Sequence, residues 1–289
     1  PYLTVFNRLE QFYLLNQSFE KVELIIQGGT FPAFPEDYQN EFIMYSLKAM
    51  NDFTFSFEEC KAFFELPGDT NAERTKRIQE KILAQKGKST LEEEQRRNET
   101  ASVRCVGLTI ETKPDWSKEE HANLMLEQGC TRVELGVQTT NNDVLQKINR
   151  GHTIEDTKEA FRILKDLGFK VHAHMMPGLP GDTNDLMSIF EQDFRPDMLK
   201  IYPCMVMPGT ELEKMYKRGE FTPIQTEEVI KFLAEFKPKV PEYARIMRIQ
   251  RDIPTKQTLA GVDKTNLRQL LKEYMEKRNL HGNCIRCKE

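Results

Sequence analysis

Three features of the sequence predict an α/β fold of strand–helix units on a parallel sheet. Apolar, β-branched runs alternate along the chain with amphipathic helical segments. Apolar residues make up 39% of the 289, enough for a substantial core. The segments that follow the strands hold the unusual residues (G-G-T, E-T-K-P-D, Q-T-T-N-N, P-G-L-P-G and P-C-M-V-M-P-G-T). In α/β barrels functional groups gather in such loops, at the carboxyl ends of the strands.

The chain opens without Met, on a segment whose Leu3, Phe6, Leu9, Phe12 and Tyr13 share a helical face, and reads as part of a longer polypeptide. A strand is predicted over 22–27 and a helix over 36–50. Residues 52–101 then break the rhythm. They are charged, too long for a simple connection, and read as a helical insertion with a solvated polar face. Within it, K-S-T-L-E-E-E-Q-R-R places a Ser/Thr cap ahead of glutamates, so a helix starts near Ser89 or Thr90. Strands follow over 104–110, 132–137, 169–175, 198–202 and 244–249, with helices over 117–128, 153–167 and 210–217. Residues 263–278 carry Leu267, Leu270, Leu271, Tyr274 and Met275 on one face, an amphipathic helix that leads into H-G-N-C-I-R-C.

The net charge of −4 hides an asymmetry. Residues 231–289 hold 14 Lys/Arg against 7 Asp/Glu, leaving −11 for residues 1–230, so the basic end is the expected face for a polyanion. Its densest stretch is M-R-I-Q-R-D-I-P-T-K, residues 247–256, too polar and aperiodic for core. The six cysteines are spread unlike a secreted disulfide framework. No stretch has the apolar length of a membrane span, the start has no secretory pattern, and a cytoplasmic protein is expected.

Gly28 and Gly29 follow a buried strand and leave backbone open to a ligand, although paired glycines at a strand end often only make a turn. Glu111 and Gln138 lie at strand ends, where they suit a ribose or an amino-acid moiety, or a solvated rim. Glu134 alternates with Val133 and Leu135; pointing inward, it needs a cation or donor. His172 and His174 share one side of their strand and suit cofactor contact better than metal, since no third ligand is near. His281, Cys284 and Cys287 form H-x2-C-x2-C, a set for zinc that needs a fourth ligand, or else a frayed tail with free thiols. The other cysteines read as small hydrophobes.

I-I-Q-G-G-T-F-P-A, V-G-L-T-I-E-T-K-P-D-W, T-R-V-E-L-G-V-Q-T, N-R-G-H-T, H-M-M-P-G-L-P-G, F-R-P-D-M-L-K-I-Y-P and M-R-I-Q-R-D-I-P together span nearly the whole chain. In these segments it resembles the radical S-adenosylmethionine domain of the Elongator catalytic subunit family, which modifies carbon 5 of the wobble uridine in tRNA. The resemblance implies a partial (β/α)6 barrel over residues 1–240, with the insertion at 52–101, and a basic RNA-binding extension with a His/Cys tail over 241–289. It implies that Gly28, Gly29 and Thr30 meet the methionine end of S-adenosylmethionine, and that Glu111, Gln138, Arg150 and His174 contact the cofactor. Arg150 would take its carboxylate as a fork. Arg245, Arg248, Arg251 and Lys256 would hold the anticodon stem-loop, with internal ion pairing as the other reading of this strip. The family's chemistry uses a [4Fe-4S] cluster to make a 5′-deoxyadenosyl radical and acetyl-CoA as co-substrate. Elongator-type partner subunits are implied as well.

Two departures stand out. The family's closely spaced cysteine triad, the ligands of the cluster, has no counterpart in this sequence, and the acetyltransferase-like domain that follows in the family is not in it either. A central piece of a larger enzyme is therefore expected, inactive alone. The competing expectations are a tRNA-binding scaffold without catalysis and another radical enzyme, such as a porphyrinogen oxidase or methylthiotransferase.

Overall fold

The computed structural model describes residues 1–183, 185–251, 253 and 257–289. Along the chain run α1 (Tyr2–Leu14), β1 (Lys21–Ile26), α2 (Glu36–Asp52), α3 (Phe57–Phe63), α4 (Ala72–Lys86), α5 (Leu91–Asn98), β2 (Arg104–Thr112), α6 (Glu119–Glu127), β3 (Arg132–Gln138), α7 (Asn142–Lys147), α8 (Ile154–Asp166) and β4 (Lys170–Met175). Then come β5 (Met198–Ile201), α9 (Glu211–Lys217), α10 (Thr226–Phe236), β6 (Arg245–Ile249), α11 (Leu267–Glu276) and α12 (Ile285–Lys288). The six strands lie in one sheet in chain order. The pairings β1/β2, β3/β4, β4/β5 and β5/β6 are parallel, as crossover helices require. Among the described residues no helix is long and apolar enough to cross a membrane.

Local chemistry sets the helix starts. Ser56, Thr90 and Thr153 each accept from the backbone three residues on, and Glu59, Glu93 and Asp156 answer at the cap's own N–H, completing capping boxes. The cap expected near Ser89 or Thr90 is Thr90.

The chain divides into two compact units. The first, Pro1–Ile110 with Asn123–Thr131, has an aromatic core: Phe6 of α1 is buried and meets Phe53 edge-on at 5.3 Å. The insertion supplies α3, α4 and α5, and its charges are not all solvated. Glu94 is 1% exposed and accepts from Asn51 at 2.7 Å, while Arg97 grips it at 2.8 Å. Asn98 donates to Asn51 at 2.6 Å and accepts from the Cys105 N–H at 2.7 Å, which ties α5 to α2 and to the start of β2.

The second unit, Glu111–Ala122 with Arg132–Glu289, holds β3 to β6. Val133, Leu135 and Val137 are buried on β3, and Val171, Ala173 and Met175 on β4, but so are the residues between them. Strands buried on both faces are usually apolar throughout, so the polar side chains that these two carry, Glu134, His172 and His174, need partners.

Candidate functional site

Four buried polar side chains of the second unit, Glu134, His172, His174 and Lys200, meet in one row. Glu134 of β3 is 1% exposed and stands in register with His172 of β4; His174 stands in register with Lys200 of β5. Glu134 faces His172 Nδ1 at 3.0 Å, His174 Nε2 at 3.1 Å and the Lys200 ammonium at 2.5 Å. The donors expected for an inward Glu134 are therefore present, and Lys200 is one that was not anticipated. A lysine in the apolar run M-L-K-I-Y was the available signal, since a charge in a buried strand needs a counter-charge. On the other side, His174 Nδ1 lies 3.4 Å from Oε1 of Glu111.

Burial works against a charged Glu134, yet the three donors reverse it and hold the carboxyl far below the usual range. Burial also opposes a charged His174, but Glu111 and Glu134 outweigh it and raise its pKa. For His172 burial wins and the imidazole is pushed down. The bond from His174 is the main reason Glu111 is held below the usual carboxylate range.

A second set of groups gathers at the end of β3. Gln138 sits at φ 73°, a left-handed conformation uncommon outside glycine and frequent at functional sites. Arg150 donates from Nη2 to the Gly136 carbonyl at 3.0 Å. A Cβ on Gly136 would meet that nitrogen too closely for the guanidinium to stay, so the glycine inside the strand marks a close approach. Gln138 Oε1, Arg150 Nε and Asp115 Oδ1 are buried and have no hydrogen-bond partner among the described residues. Asp115 otherwise pairs with Lys113 at 3.0 Å. His152 is 4% exposed; burial, then the Arg150 guanidinium, push it down to about 4, so it is neutral. Asp115 and His152 were missed in the sequence because neither sits on a strand whose alternation reveals direction. Gln138 and Arg150 also line a cavity of 520 Å³ with Lys147, Met176, Met205 and Met215. Cys204 borders it, buried, its thiol raised to about 12 by desolvation, which makes it a packing residue.

In the first unit, Gly28 and Gly29 take φ 100° and 66°, and a Cβ on either would meet nothing within 4 Å. Conformation, not space, demands glycine here, and the backbone lies open up to Thr30, which precedes the turn Phe31–Ala33.

The four cations expected on RNA do not form one strip. Arg245 opens β6 and is paired twice with Glu289, at 2.5 and 2.8 Å. Arg248 is in register with Lys200 and is exposed. Arg251 lies past the carboxyl end of β6 with its guanidinium 5.4 Å over the Tyr202 ring, and Tyr202 meets His174 edge-on at 5.5 Å. Lys256 lies outside the described residues. At the tail, Cys284 and Cys287 bring their sulfurs to 3.4 Å, whereas the His281 ring engages Asn279 at 3.2 Å. No group of three His, Cys, Asp or Glu side chains able to hold a metal ion occurs among the described residues.

Comparison with known proteins gives this geometry a family. The chain is 45% identical to the tRNA uridine(34) acetyltransferase of Methanocaldococcus jannaschii, over 100% of this chain and 48% of that protein. It is 35% identical to Elongator complex protein 3 of Homo sapiens, again over 100% of this chain and 48% of that protein. It thus spans about half the length of these relatives. A solved structure of Methanocaldococcus infernus Elp3 with an N-terminal deletion superposes with a TM-score of 0.84 at 44% identity, covering 99% of this chain and 61% of that one, so the partial barrel expected from the sequence is the fold. The model of the Radical SAM C-terminal domain matches residues 196–277. The Radical SAM superfamily model matches residues 9–192, and the chain belongs to that superfamily.

Proposed function

We propose that this chain is the cofactor- and tRNA-binding part of an enzyme that modifies carbon 5 of the wobble uridine, U34, of tRNA, with S-adenosylmethionine as cofactor and acetyl-CoA as co-substrate, giving a carboxymethyl-type uridine. One observation carries the reading. Arg251, at the exit of the most basic strand, stacks on Tyr202, and Tyr202 abuts His174 in the buried polar row. A cation suited to phosphate is thereby joined, ring to ring, to side chains suited to a cofactor. The names of the M. jannaschii and human relatives support the same reading.

The residues present fit S-adenosylmethionine. Among the described residues, Arg150 Nε, Gln138 Oε1 and Asp115 Oδ1 are buried polar atoms without partners, as atoms awaiting a zwitterionic ligand are. Arg150 would take the carboxylate as a fork, Asp115 the ammonium, and Gln138 and Glu111 hydroxyl or amino donors. For Gly28, Gly29 and Thr30 we keep the family assignment to the methionine end. Membership of the superfamily also brings a four-iron cluster. The described residues gather no metal-binding trio, so we route no step through a cluster on this chain. Bound S-adenosylmethionine supplies the 5′-deoxyadenosyl group; this chain's residues supply orientation and exclusion of water.

On the RNA side, residues 241–289 would present Arg248 and Arg251 to anticodon phosphates, with Lys256 assigned from the sequence, while Arg245 is spoken for by Glu289. Zinc at Cys284 and Cys287, with His281 turned from Asn279, is supported by the paired sulfurs. Metal analysis should find it in the purified protein and lose it in Cys284→Ser; full retention would remove these ligands. Cytoplasmic location and Elongator-type partner subunits belong to the same proposal.

The test is to purify the polypeptide from its source without oxygen, incubate it with S-adenosylmethionine, acetyl-CoA and tRNA, and read U34 by mass spectrometry. A gain in mass at that nucleotide is expected. Tight tRNA binding with U34 unchanged would favour the scaffold reading, and no tRNA binding would return the chain to another class of radical enzyme.

A further inference from the structure

The polar row has one end inside the protein and one end open. Glu134 and His172 side chains are 1% exposed, His174 6% and Lys200 8%, whereas Glu111 is 23% exposed. Glu134 is engaged internally, since Oε1 faces His172 and Oε2 takes both His174 and Lys200. With three donors on it and 1% of its side chain exposed, it is closed to a ligand. His174 is in the same position, with Nδ1 towards Glu111 and Nε2 towards Glu134.

That geometry decides the proton count on His174. A carboxylate only accepts, and a neutral imidazole carries one N–H, so the neutral ring would press a lone pair against one of the two carboxylates. The imidazolium donates to both. Charge agrees: Glu111 and Glu134 are balanced by His174 and Lys200, and loss of either cation would leave an uncompensated anion. The groups that face His174 are Glu111 from β2, Glu134 from β3, His172 from its own strand, Lys200 from β5 and the Tyr202 ring just after it; Arg248 and Arg251 act on that tyrosine.

We propose that Glu134, His174 and Lys200 are positioning residues that keep His174 as a doubly donating imidazolium, which pins one oxygen of Glu111 and leaves the other as a fixed, ionised acceptor for the hydroxyl pair of a ribose. No other side-chain hydrogen bond of Glu111 forms among the described residues, so that second oxygen is available. The assignment of His174 as a cofactor contact therefore changes in kind, since it acts through Glu111. The proposal rests on the cofactor reading above only for the identity of the ribose, that of S-adenosylmethionine.

Two measurements test it on the intact chain. In ¹⁵N-histidine-labelled protein at neutral pH, the signal lost in His174→Gln should be an imidazolium with both ring nitrogens protonated, and Glu111→Gln, a change at the exposed end, should make that ring neutral. A neutral His174 in the wild type, or one unaffected by Glu111→Gln, overturns the proposal. The second measurement is the affinity for S-adenosylmethionine by titration calorimetry. Glu134→Gln should weaken binding about tenfold at about pH 8, the loss of one charge-assisted bond, and recover near pH 6, where the ring regains its proton. A loss equal at both pH values, as a merely structural defect would give, or no loss at all, counts against it. If Glu134→Gln does not fold, the ring's proton state in wild type and in Glu111→Gln decides alone. Wild-type protein that binds no S-adenosylmethionine would sink the cofactor reading instead, and the histidine signals would still decide whether the row holds its proton.

Discussion

His152 and His174 are two buried imidazoles that folding treats in opposite ways. His152 falls to about 4 through burial and the nearby Arg150, against about 6.5 in an unfolded chain. Between those values the unfolded chain takes up a proton that the folded protein refuses, so stability falls as pH drops through the window. His172 is also pushed down and adds to the acid side. His174 is raised, so its contribution is complete below the ordinary histidine value and is lost as pH climbs through the raised one. Urea unfolding should therefore show greatest stability between about pH 6.5 and 7, with a fall on either side. His152→Gln should flatten the acid limb by about 2 kcal/mol, a figure reduced for partial solvent screening. His174→Gln should flatten the alkaline limb. An acid limb unchanged in His152→Gln would show that its burial does not set the proton balance.

Asn98 shows how single side chains join whole elements. It donates to Asn51 of α2 and to the Val103 carbonyl, and accepts from the N–H of Cys105, where β2 begins. Asn98→Ala leaves two buried partners and one half-buried partner unmet and should cost about 3 kcal/mol in urea unfolding; a loss under about 1 kcal/mol would mean that water replaces the amide. The elements themselves were legible in the sequence wherever hydrophobic periodicity was strong. All six strands were expected within two residues of where they lie, because each is a short run with apolar residues, ended by glycine, proline or a turn. The helices α7 and α10 were not anticipated. The first is short, and the second, T-E-E-V-I-K-F-L-A-E-F, packs its apolar side on α11, a pairing no local pattern announces. The same limit applies to the site. Alternation made Glu134 a candidate inward residue and put His172 and His174 on one side of their strand, but the joining of His174 to Glu111 and of Glu134 to Lys200 depends on strand register, which a single sequence does not display.

At the scale of the chain, charge divides the labour, with −11 over residues 1–230 and +7 over residues 231–289. The acidic part would repel a polyanion, so RNA affinity should come from the few cations that project from the basic part. The structure separates these by their positions along β6. Arg245, at the amino end, is held by Glu289, while Arg248 lies beyond the register shift that interrupts the pairing of β5 with β6. Arg251 continues past the carboxyl end, over Tyr202. If Arg248 and Arg251 each neutralise one phosphate, Arg248→Glu with Arg251→Glu should weaken binding of a tRNA anticodon stem-loop and lower the slope of log affinity against log salt by about 2. Arg245→Glu is the informative contrast. It sets two carboxylates against each other at the end of α12, and should loosen that short helix while leaving the salt slope unchanged, since its charge is already paired. Fluorescence anisotropy over a salt series reads both outcomes. Equal slopes in the double variant and the wild type would take this strand out of the RNA interface, and a lower slope in Arg245→Glu would mean that RNA displaces Glu289 and recruits Arg245 as well.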